Sequence, residues 1–350
     1  MMNKIKKMSD TNLLLSITVV VFFLMYISAV LFLGEGFTKP QTFLNLFNNN
    51  AYLIIIACGL SMVMITGGID ISVGGVIALV SMTCAVNLDL KGGNVVTSML
   101  IALGIGLAFG LVQGFLVAYL DIQPFIVTLA GMFFARGLTT IVHTDPINVK
   151  NKDFTELRQK LIEIPGLGTT NKKGIKIPAT IEIGVIVAIV IVIVLFLLLR
   201  YSTFGRNFYA VGGNQQSALM LGINVKRTKF LSHVFCGLLA GIAGYVYFMH
   251  VGSGSPGHAQ GAEMNAIAAS IIGGTMLTGG VGNIAGTLFG VLSLCTIKDI
   301  VASLGLQDAW WTGITVAGML CIFLIIQSVV IAKKHAAGST KERPAEANAT

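Results

Sequence analysis

The run GGIDISVGG at 67–75 places an acidic side chain beside an apolar segment, where ionisable residues mark substrate or ion paths. Its glycines let the backbone turn, and Asp70 or Ser72 can cap a helix that begins near Val73. Two interpretations stand: a broken helix whose polar end faces a transport path, or a simple cap at the membrane edge. The residues assigned to such a path are Asp70, Ser72, Gly74 and Asn265.

Other charged side chains also occur in apolar runs. Arg136 lies inside one run and Glu263 begins another, and a buried arginine is costly unless it is paired or hydrated. A pair between these two residues is therefore one hypothesis. Lys298 lies near the end of a later run, where its long side chain can reach the membrane interface.

No residue spacing indicates enzyme chemistry. His143, His250 and His258 lack metal-ligand spacing, so no metal site is assigned. GLGTTNKKG at 166–174 has lysines but not the spacing of a phosphate-binding loop. Because there is neither a nucleophile elbow nor a paired carboxylate dyad, we predict a chain that is not an enzyme and holds no cofactor of its own.

The composition indicates an all-α protein that crosses a membrane many times. Of the 350 residues, 55% are hydrophobic and 11% are charged, whereas soluble domains carry about 25% charged residues. The net charge of +8 comes mostly from loops and tails, so positive-inside sorting and anionic lipid explain it without a nucleic-acid partner. The cysteines all lie in apolar runs without a CxxC pair, which predicts packing roles.

A spanning helix needs about 20 apolar residues, and runs near that length are candidate spans. The ten candidates are Leu13–Leu33, Ala51–Thr66, Ile71–Leu88, Val95–Leu120, Pro124–Val142, Ile181–Leu199, Phe230–Val251, Met264–Leu277, Ile284–Ser303 and Trp310–Ile331. The second and eighth are short and adjoin glycine-rich breaks at 67–75 and 252–261, which favours discontinuous helices. Spans two to five and seven to ten could then form an inverted repeat.

The segment 204–230, FGRNFYAVGGNQQSALMLGINVKRTKF, is a long polar interruption between two spans. Its helix-forming part, Gln215 to Leu221, ends at Gly222, a suitable C′ glycine. Ten spans with both termini in the cytoplasm place this basic segment in the cytoplasm too. The predicted units are a transmembrane domain at 1–334, with a basic extracytoplasmic loop at 143–180 and a cytoplasmic segment at 204–229, and a disordered tail at 335–350.

Glycine makes up 41 residues and repeatedly occurs at four-residue spacing. Small residues at that spacing let helix backbones approach closely in lipid, where dispersion contacts hold helices together. The predicted packing glycines are Gly106, Gly110, Gly114, Gly282, Gly286 and Gly290.

Four stretches together resemble the permease subunits of bacterial sugar ABC importers, a family that includes ribose, xylose and galactose permeases. They are GGIDISVGG, QPFIVTLAGMFFARGL at 123–138, the 204–230 segment and MNAIAASIIGGTMLTGGVGNIAGTLFGVL at 264–292. AGMFFARGL, GGVGNIAG and the tryptophans at 310–311 are most similar to the galactofuranose-type permeases.

The resemblance implies three partners: a second permease subunit, identical or homologous; a cytoplasmic ABC ATPase with two nucleotide-binding domains that hydrolyses ATP-Mg; and an extracytoplasmic sugar-binding protein. It also implies that the 204–229 segment contains the coupling helix that fits a groove on the ATPase. The residues assigned to coupling are Gly205, Arg206, Ala210, Gly212, Gly213, Asn214, Ala218 and Gly222.

We therefore predict a multi-pass permease of the bacterial cytoplasmic membrane that moves a monosaccharide by alternating access. One alternative is the same machine carrying branched-chain amino acids or another small solute. The other is an ion-driven secondary transporter, which would require an intramembrane carboxylate or lysine as its coupling site.

Overall fold

The computed structural model describes residues 10–170, 176–306 and 308–339 of the chain. Within these ranges the helices are α1 (Asp10–Leu33), α2 (Glu35–Thr38), α3 (Pro40–Asn48), α4 (Ala51–Ile65), α5 (Val73–Asp89), α6 (Val95–Ala118), α7 (Pro124–Val142), α8 (Lys152–Gln159), α9 (Ile183–Tyr201), α10 (Thr203–Gly213), α11 (Gln215–Met220), α12 (Val225–Val251), α13 (Ala262–Ile272), α14 (Ile284–Ser303) and α15 (Ala309–Ser339). The strands are β1 (Ile147–Asn148), β2 (Ile162–Thr170), β3 (Lys176–Ile181) and β4 (Ser253–Gly254).

Each predicted span coincides with a helix, and the predicted all-α membrane fold is confirmed. By length and composition, 6 helices of the described chain can each cross a membrane, namely α1, α6, α7, α9, α12 and α14. Helices α3 and α4 together make a seventh candidate, bent by 52°. The apolar helices α5 and α13 are shorter, as is the Trp310–Ile326 part of α15. The second and eighth spans are thus short, as the sequence predicts.

Helix α4 lies at the centre of the bundle. All of its 15 residues except Tyr52 are buried, as expected for a helix that is apolar on every side. Helix α12 packs along α4, α5 and α6, and α14 packs against α1 and α13. In the break that follows α4, at 66–72, Thr66 and residues 70–72 are buried, whereas Gly67 is exposed. Irregular backbone is tolerated at membrane depth where protein or a water-filled cavity covers it.

Helices α6 and α12 touch backbone to backbone. A methyl group placed on Gly106 would meet the Gly237 carbonyl oxygen, and one placed on Gly110 would lie 2.8 Å from the His233 carbonyl oxygen. Gly114 faces the Phe230 carbonyl oxygen in the same way, at 2.9 Å. All three predicted packing glycines of α6 thus lie where a side chain would force the two helices apart.

The other three predicted packing glycines, which lie in and just before α14, pack against other segments. Gly286 and Gly290 of α14 lie against Gly273 and the Ala269 carbonyl group at the end of α13. Gly282 precedes α14 and faces the side chain of Ile65. These contacts hold the end of α13 close to the start of α14.

The two ends of the bundle carry different segments. The Glu182 N–H donates to Asn48 Oδ1 (3.0 Å) at the end of α3, where α9 begins. At the opposite end of α9, Arg200 lines a cavity that is shared with Thr11 at the start of α1. The start of α1 therefore lies with α10 and α11 at one end, called here the α10–α11 end. The described residues of the 143–182 segment, 143–170 and 176–182, lie at the other end, called the hairpin end.

The loop at 143–180 contains regular structure, which the sequence analysis missed. Strands β2 and β3 form an antiparallel hairpin in which Ile162 pairs with Ile181, and β1 pairs with β4. In α8, Phe154 is buried and stacks on Phe248 of α12, with 4.6 Å between ring centroids. The hairpin turn at 171–175 lies outside the described residues.

The predicted tail boundary is wrong. Helix α15 continues to Ser339, so the first residues of the segment from His335 are helical. Ala332, Ala336 and Ala337 are strong helix formers, and they extend a helix already begun in the last span. Residues 340–350 lie outside the described residues.

Gly106→Ala tests the α6–α12 contact, with Gly104→Ala as its control, because a methyl group on Gly104 would have no neighbour within 4 Å. We expect Gly106→Ala to destabilise the protein by about 1–3 kcal/mol, the usual cost of overpacking. Thermal unfolding in detergent, followed by size-exclusion chromatography, measures the difference. Equal melting temperatures for the two variants would contradict the close packing.

Candidate coupling segment and helix breaks

The polar segment between α9 and α12 is ordered by side-chain caps. Ser202 accepts a hydrogen bond from the Gly205 N–H (3.0 Å) and starts α10. Asn214 accepts one from the Ser217 N–H (2.9 Å) and starts α11. A further cap at Asn224 starts α12. Each cap satisfies a free helix N–H, so the segment has a defined path.

The predicted helix from Gln215 is present as α11, and it ends as the sequence indicates. Gly222 has a φ of +76°, and the N–H of Ile223 donates to the Ala218 carbonyl (3.0 Å). With the Gly222 N–H donating to Leu219, this is a Schellman motif, which needs a residue in the left-handed region. The preceding helix, α10, was not predicted from the sequence.

The residues assigned to coupling fall into buried and exposed sets. Ala218 is buried with Val211 and Val225, and Ala210 packs against them, so both alanines hold the segment together from inside. Gly205 is also buried, and a methyl group there would meet the backbone of Leu199. By contrast, Gly213 and Asn214 are exposed.

The surface of α11 carries an apolar patch. Met220 is 87% exposed, and Leu221, which directly follows the helix, is 77% exposed. Leu219 adds to the same patch at 53%. Exposed apolar side chains clustered within a polar segment indicate a protein contact.

Helix α10 touches two of the helix breaks. A methyl group on Gly212 would meet the carbonyl oxygen of Ile65, the last residue of α4, and would lie 2.5 Å from the Gly280 nitrogen. Gly280 is in the break between α13 and α14, and its N–H donates to the Ile65 carbonyl (2.9 Å). The Tyr209 hydroxyl donates to the Gly282 carbonyl (3.0 Å) in the same break. The coupling segment is therefore in direct contact with both interruptions.

Asp70 and Ser72 lie together in the break between α4 and α5, but neither caps α5 as predicted. The helix does begin at Val73, but Ser72, its N-cap residue, makes no side-chain cap bond. Instead Asp70 Oδ1 accepts hydrogen bonds from the Ser72 N–H (2.9 Å) and hydroxyl (2.7 Å). Asp70 is 1% exposed, so its carboxylate belongs to the protein interior.

Two buried side-chain nitrogen atoms beside Asp70 have no hydrogen-bond partner in the described part of the chain. They are Gln113 Nε2 of α6 and His233 Nε2 of α12. The first carries amide N–H donors, whereas His233 Nε2 is an acceptor because Nδ1 donates to the Lys229 carbonyl (3.0 Å). The Ser72 hydroxyl lies 3.2 Å from Gln113 Oε1, and the His233 ring interacts electrostatically with Asp70. An unsatisfied buried polar group costs about 1–3 kcal/mol. Sequence reasoning missed both residues, because neither Gln113 nor His233 stands in a recognisable motif.

The hypothesis of an Arg136–Glu263 ion pair is wrong. Arg136 donates to the carbonyl oxygens of Pro256, His258 and Ala259 in the break between α12 and α13. The Glu263 carboxylate lies instead against Gly74, where a methyl group would collide with it. A guanidinium has five N–H donors in a fixed fork, which suits a turn that exposes several carbonyl groups.

His258 completes the polar environment of this break. Its Nδ1 lies 3.3 Å from the Ser81 hydroxyl, and its ring meets Tyr247 edge-on at 5.4 Å. Burial, together with the positive charge of Arg136, lowers the pKa of His258. The imidazole is therefore neutral near pH 7, since its ordinary pKa is about 6.5.

Asn265 does not join Asp70 and Ser72. Its Oδ1 accepts a hydrogen bond from Lys298 Nζ (3.1 Å), which links α13 to α14. Lys298 is thus held by a side chain within the bundle, in place of the predicted extension to the interface. Among the residues that the structure describes, no group of three or more His, Cys, Asp or Glu side chains could hold a metal ion.

Gly212→Ala tests the contact of α10 with the breaks, with the adjacent Gly213→Ala as control, since a methyl group on Gly213 meets nothing within 4 Å. We expect the first variant to loosen the segment by about 1–3 kcal/mol because the methyl group displaces the Ile65–Gly280 hydrogen bond. Hydrogen–deuterium exchange of residues 203–224 and 276–282 would then be faster. Unchanged exchange in Gly212→Ala would rule out the contact.

Comparison with known proteins identifies the family of the chain. The family described as the branched-chain amino acid transport system / permease component matches residues 42–324. The inner membrane ABC transporter permease protein YjfF of Escherichia coli (strain K12) is 36% identical over 320 residues, which cover 91% of this chain and 93% of that protein. The fructose import permease protein FruG of Bifidobacterium longum is 35% identical over 319 residues, 90% of each chain.

A third relative is the ribose import permease protein RbsC of Bacillus subtilis. It is 34% identical over 296 residues, 84% of this chain and 86% of the relative. No solved structure matches the chain. The resemblance inferred from the four motifs is confirmed, and the chain belongs to the family of multi-pass membrane permease components described as the branched-chain amino acid transport system / permease component.

Proposed function

We propose that the chain is the permease subunit of an ATP-driven ABC importer that carries a monosaccharide across the bacterial cytoplasmic membrane. The observation that carries the proposal is the contact of α10 with both the 66–72 and the 273–283 breaks, through Gly212 and Tyr209. The relatives named for fructose and ribose import support a pentose or hexose as cargo.

The exposed face of α11 is the surface for a separate ABC ATPase, which binds and hydrolyses ATP-Mg. Met220 and Leu221 supply apolar area there, and the basic residues Lys226 and Arg227 follow at the start of α12. This assignment makes the α10–α11 end cytoplasmic. The start of α1 lies at the same end, and both termini are assigned to the cytoplasm.

The hairpin end then faces outward. There an extracytoplasmic sugar-binding protein delivers the cargo, and a second permease subunit, identical or homologous, completes the translocation path. The β2–β3 hairpin of this chain is anchored on α3, where Gln41 exchanges two hydrogen bonds with the backbone of Thr180. A hairpin fixed to the bundle presents a stable surface for such a partner.

The contacts of α10 with the two breaks provide a mechanism for alternating access. A shift of α10 on the ATPase moves the Ile65 carbonyl and Gly280 together, and so displaces the ends of α4 and α13. A partner can shift the two states only through contacts that differ between them. The unpartnered nitrogen atoms of Gln113 and His233 beside Asp70, one a donor and the other an acceptor, are groups that gain partners when the break rearranges or when the site takes up water or sugar hydroxyls.

The alternatives differ in cargo or in energy source. The family description names branched-chain amino acids, but the relatives named for a solute here carry fructose or ribose. Asp70 and Glu263 are buried carboxylates of the kind that an ion-driven transporter would use. Family membership and the capped α10–α11 segment nevertheless favour an external ATPase.

Uptake of labelled ribose, fructose, galactose and leucine by cells that express the complete importer tests both cargo and energy source. We expect one sugar to accumulate, and uptake to persist when ionophores collapse proton and sodium gradients but to stop when ATP is depleted. Gradient-driven uptake in ATP-depleted cells would overturn the ATP-driven mechanism. Leucine uptake alone would replace the proposed cargo.

Met220→Glu tests the ATPase surface, with Gln216→Glu on the same exposed helix as control for the added charge. Burying a charge at an apolar contact is costly, so we expect the first variant to lose co-purification of the ATPase and uptake, and the second to retain both. Membrane insertion and melting temperature should stay unchanged in each. Normal co-purification of Met220→Glu would remove α11 from the interface.

A further inference from the structure

At the α10–α11 end a cavity of about 350 Å³ lies between α1, α9, α10 and α14. Arg200 of α9 and Arg206 of α10 line it together. Phe196, one helical turn before Arg200, and Leu199 give it an apolar wall on the side of the span. The cavity therefore places two cationic side chains beside apolar side chains, at the end of a membrane span.

No carboxylate whose side chain the structure describes neutralises the two guanidinium groups. Among those side chains, which do not include that of Asp10, no oxygen lies within 4.0 Å of either group, and the recorded ion pair is His250 with Glu182 at the hairpin end. Arg200 stacks 5.6 Å from the centroid of Phe196 and 5.5 Å from that of Tyr201. Arg206 has a long contact with the Tyr201 carbonyl oxygen, at 3.5 Å. Most of the N–H donors of both groups are thus available to an anion.

A helix end reinforces the positive potential. Asn283 and Ile284, the first residues of α14, line the same cavity. The N-terminus of a helix carries a partial positive charge that favours anions within its first turn. The sequence before α1 is also basic, with Lys4, Lys6 and Lys7. The cavity therefore suits an anion with several oxygen acceptors.

Ordinary snorkelling does not account for the arrangement. An arginine at a span end normally extends its head group into water while its stem covers apolar surface. Arg200 and Arg206 are both exposed, as in snorkelling, but they come from different helices and line one inter-helix cavity with an apolar wall. Basic pockets between membrane helices on the cytoplasmic side bind phospholipid head groups. The apolar wall distinguishes a lipid from a free phosphate ion, because only a lipid brings an acyl chain to Phe196.

We propose that this cavity binds an anionic phospholipid, with its phosphate held by Arg200 and Arg206 and its acyl chain along Phe196. The site does not depend on which solute the permease carries. A lipid seated between α1, α9 and α10 would brace the coupling segment against the membrane. It also gives Arg206 a role different from the contact with an ATPase that the sequence implies.

Native mass spectrometry of the delipidated chain, titrated with phosphatidylglycerol or phosphatidylcholine, tests the proposal. The test variant is R200Q/R206Q. The control is K226Q/R227Q, which removes the same charge from exposed residues at the same end. Each basic contact to an anionic membrane surface contributes about 1 kcal/mol, so the loss of two should weaken phosphatidylglycerol binding to R200Q/R206Q roughly 30-fold and leave binding to the control about normal.

Three results would overturn the site: equal losses in the two double variants, equal binding of phosphatidylcholine, or displacement by inorganic phosphate at the same concentration as the lipid. The last would identify a free-anion site.

A melting temperature of R200Q/R206Q measured without lipid separates a binding defect from misfolding. The single variants R200Q and R206Q replace the pair if it does not fold. Partial weakening in each single variant supports the proposal, and no change in either contradicts it.

Discussion

The structure depends on one constraint: helices that stop inside a membrane bundle leave backbone groups that water cannot satisfy. Helix α4 ends at Ile65, and the Gly280 N–H donates to the carbonyl left free there. At the end of α13, the Thr18 hydroxyl donates to the Ile272 carbonyl (2.8 Å). Between α12 and α13, Arg136 supplies donors to the turn at 256–259. At each of these interruptions, therefore, a residue from a distant part of the chain donates a hydrogen bond to a backbone carbonyl group.

This requirement explains why the coupling segment and the breaks form a single structural unit. The carbonyl of Ile65 can accept from Gly280 only if no side chain separates them, and Gly212 lies against both. Glycine at these positions allows backbone to meet backbone, which side chains would prevent. A displacement of α10 must then move the ends of α4 and α13 or break hydrogen bonds that have no replacement in a nonpolar environment. Energy applied at the surface can reach the interior by this route.

The buried charged residues show that burial alone does not identify a functional side chain. Arg136 serves the backbone of a turn, Lys298 holds Asn265, and Asp70 accepts from its own neighbour Ser72. A buried charge with such partners is explained structurally, whereas the unpartnered side-chain nitrogen atoms of Gln113 and His233 are not. The polar cluster around Asp70 thus contains groups that the present arrangement leaves incomplete.

Sequence alone determined the spans, the broken helices, the short helix α11 with its closing glycine, and the family. These features depend on local composition and on spacings within a few residues, because apolar length and glycine conformation act locally. Helix α10 was missed because its three glycines weaken the helical signal. The hairpin was missed because Pro165, Gly166 and Pro178 interrupt its strands, and such residues argue against a strand. Tertiary structure alone decided that Asp70 is an acceptor within a turn, that Arg136 binds carbonyl groups and not Glu263, and that Gly212 but not Gly213 is enclosed. Such contacts join residues far apart in the chain, and no local pattern encodes which of two neighbouring glycines will meet another backbone.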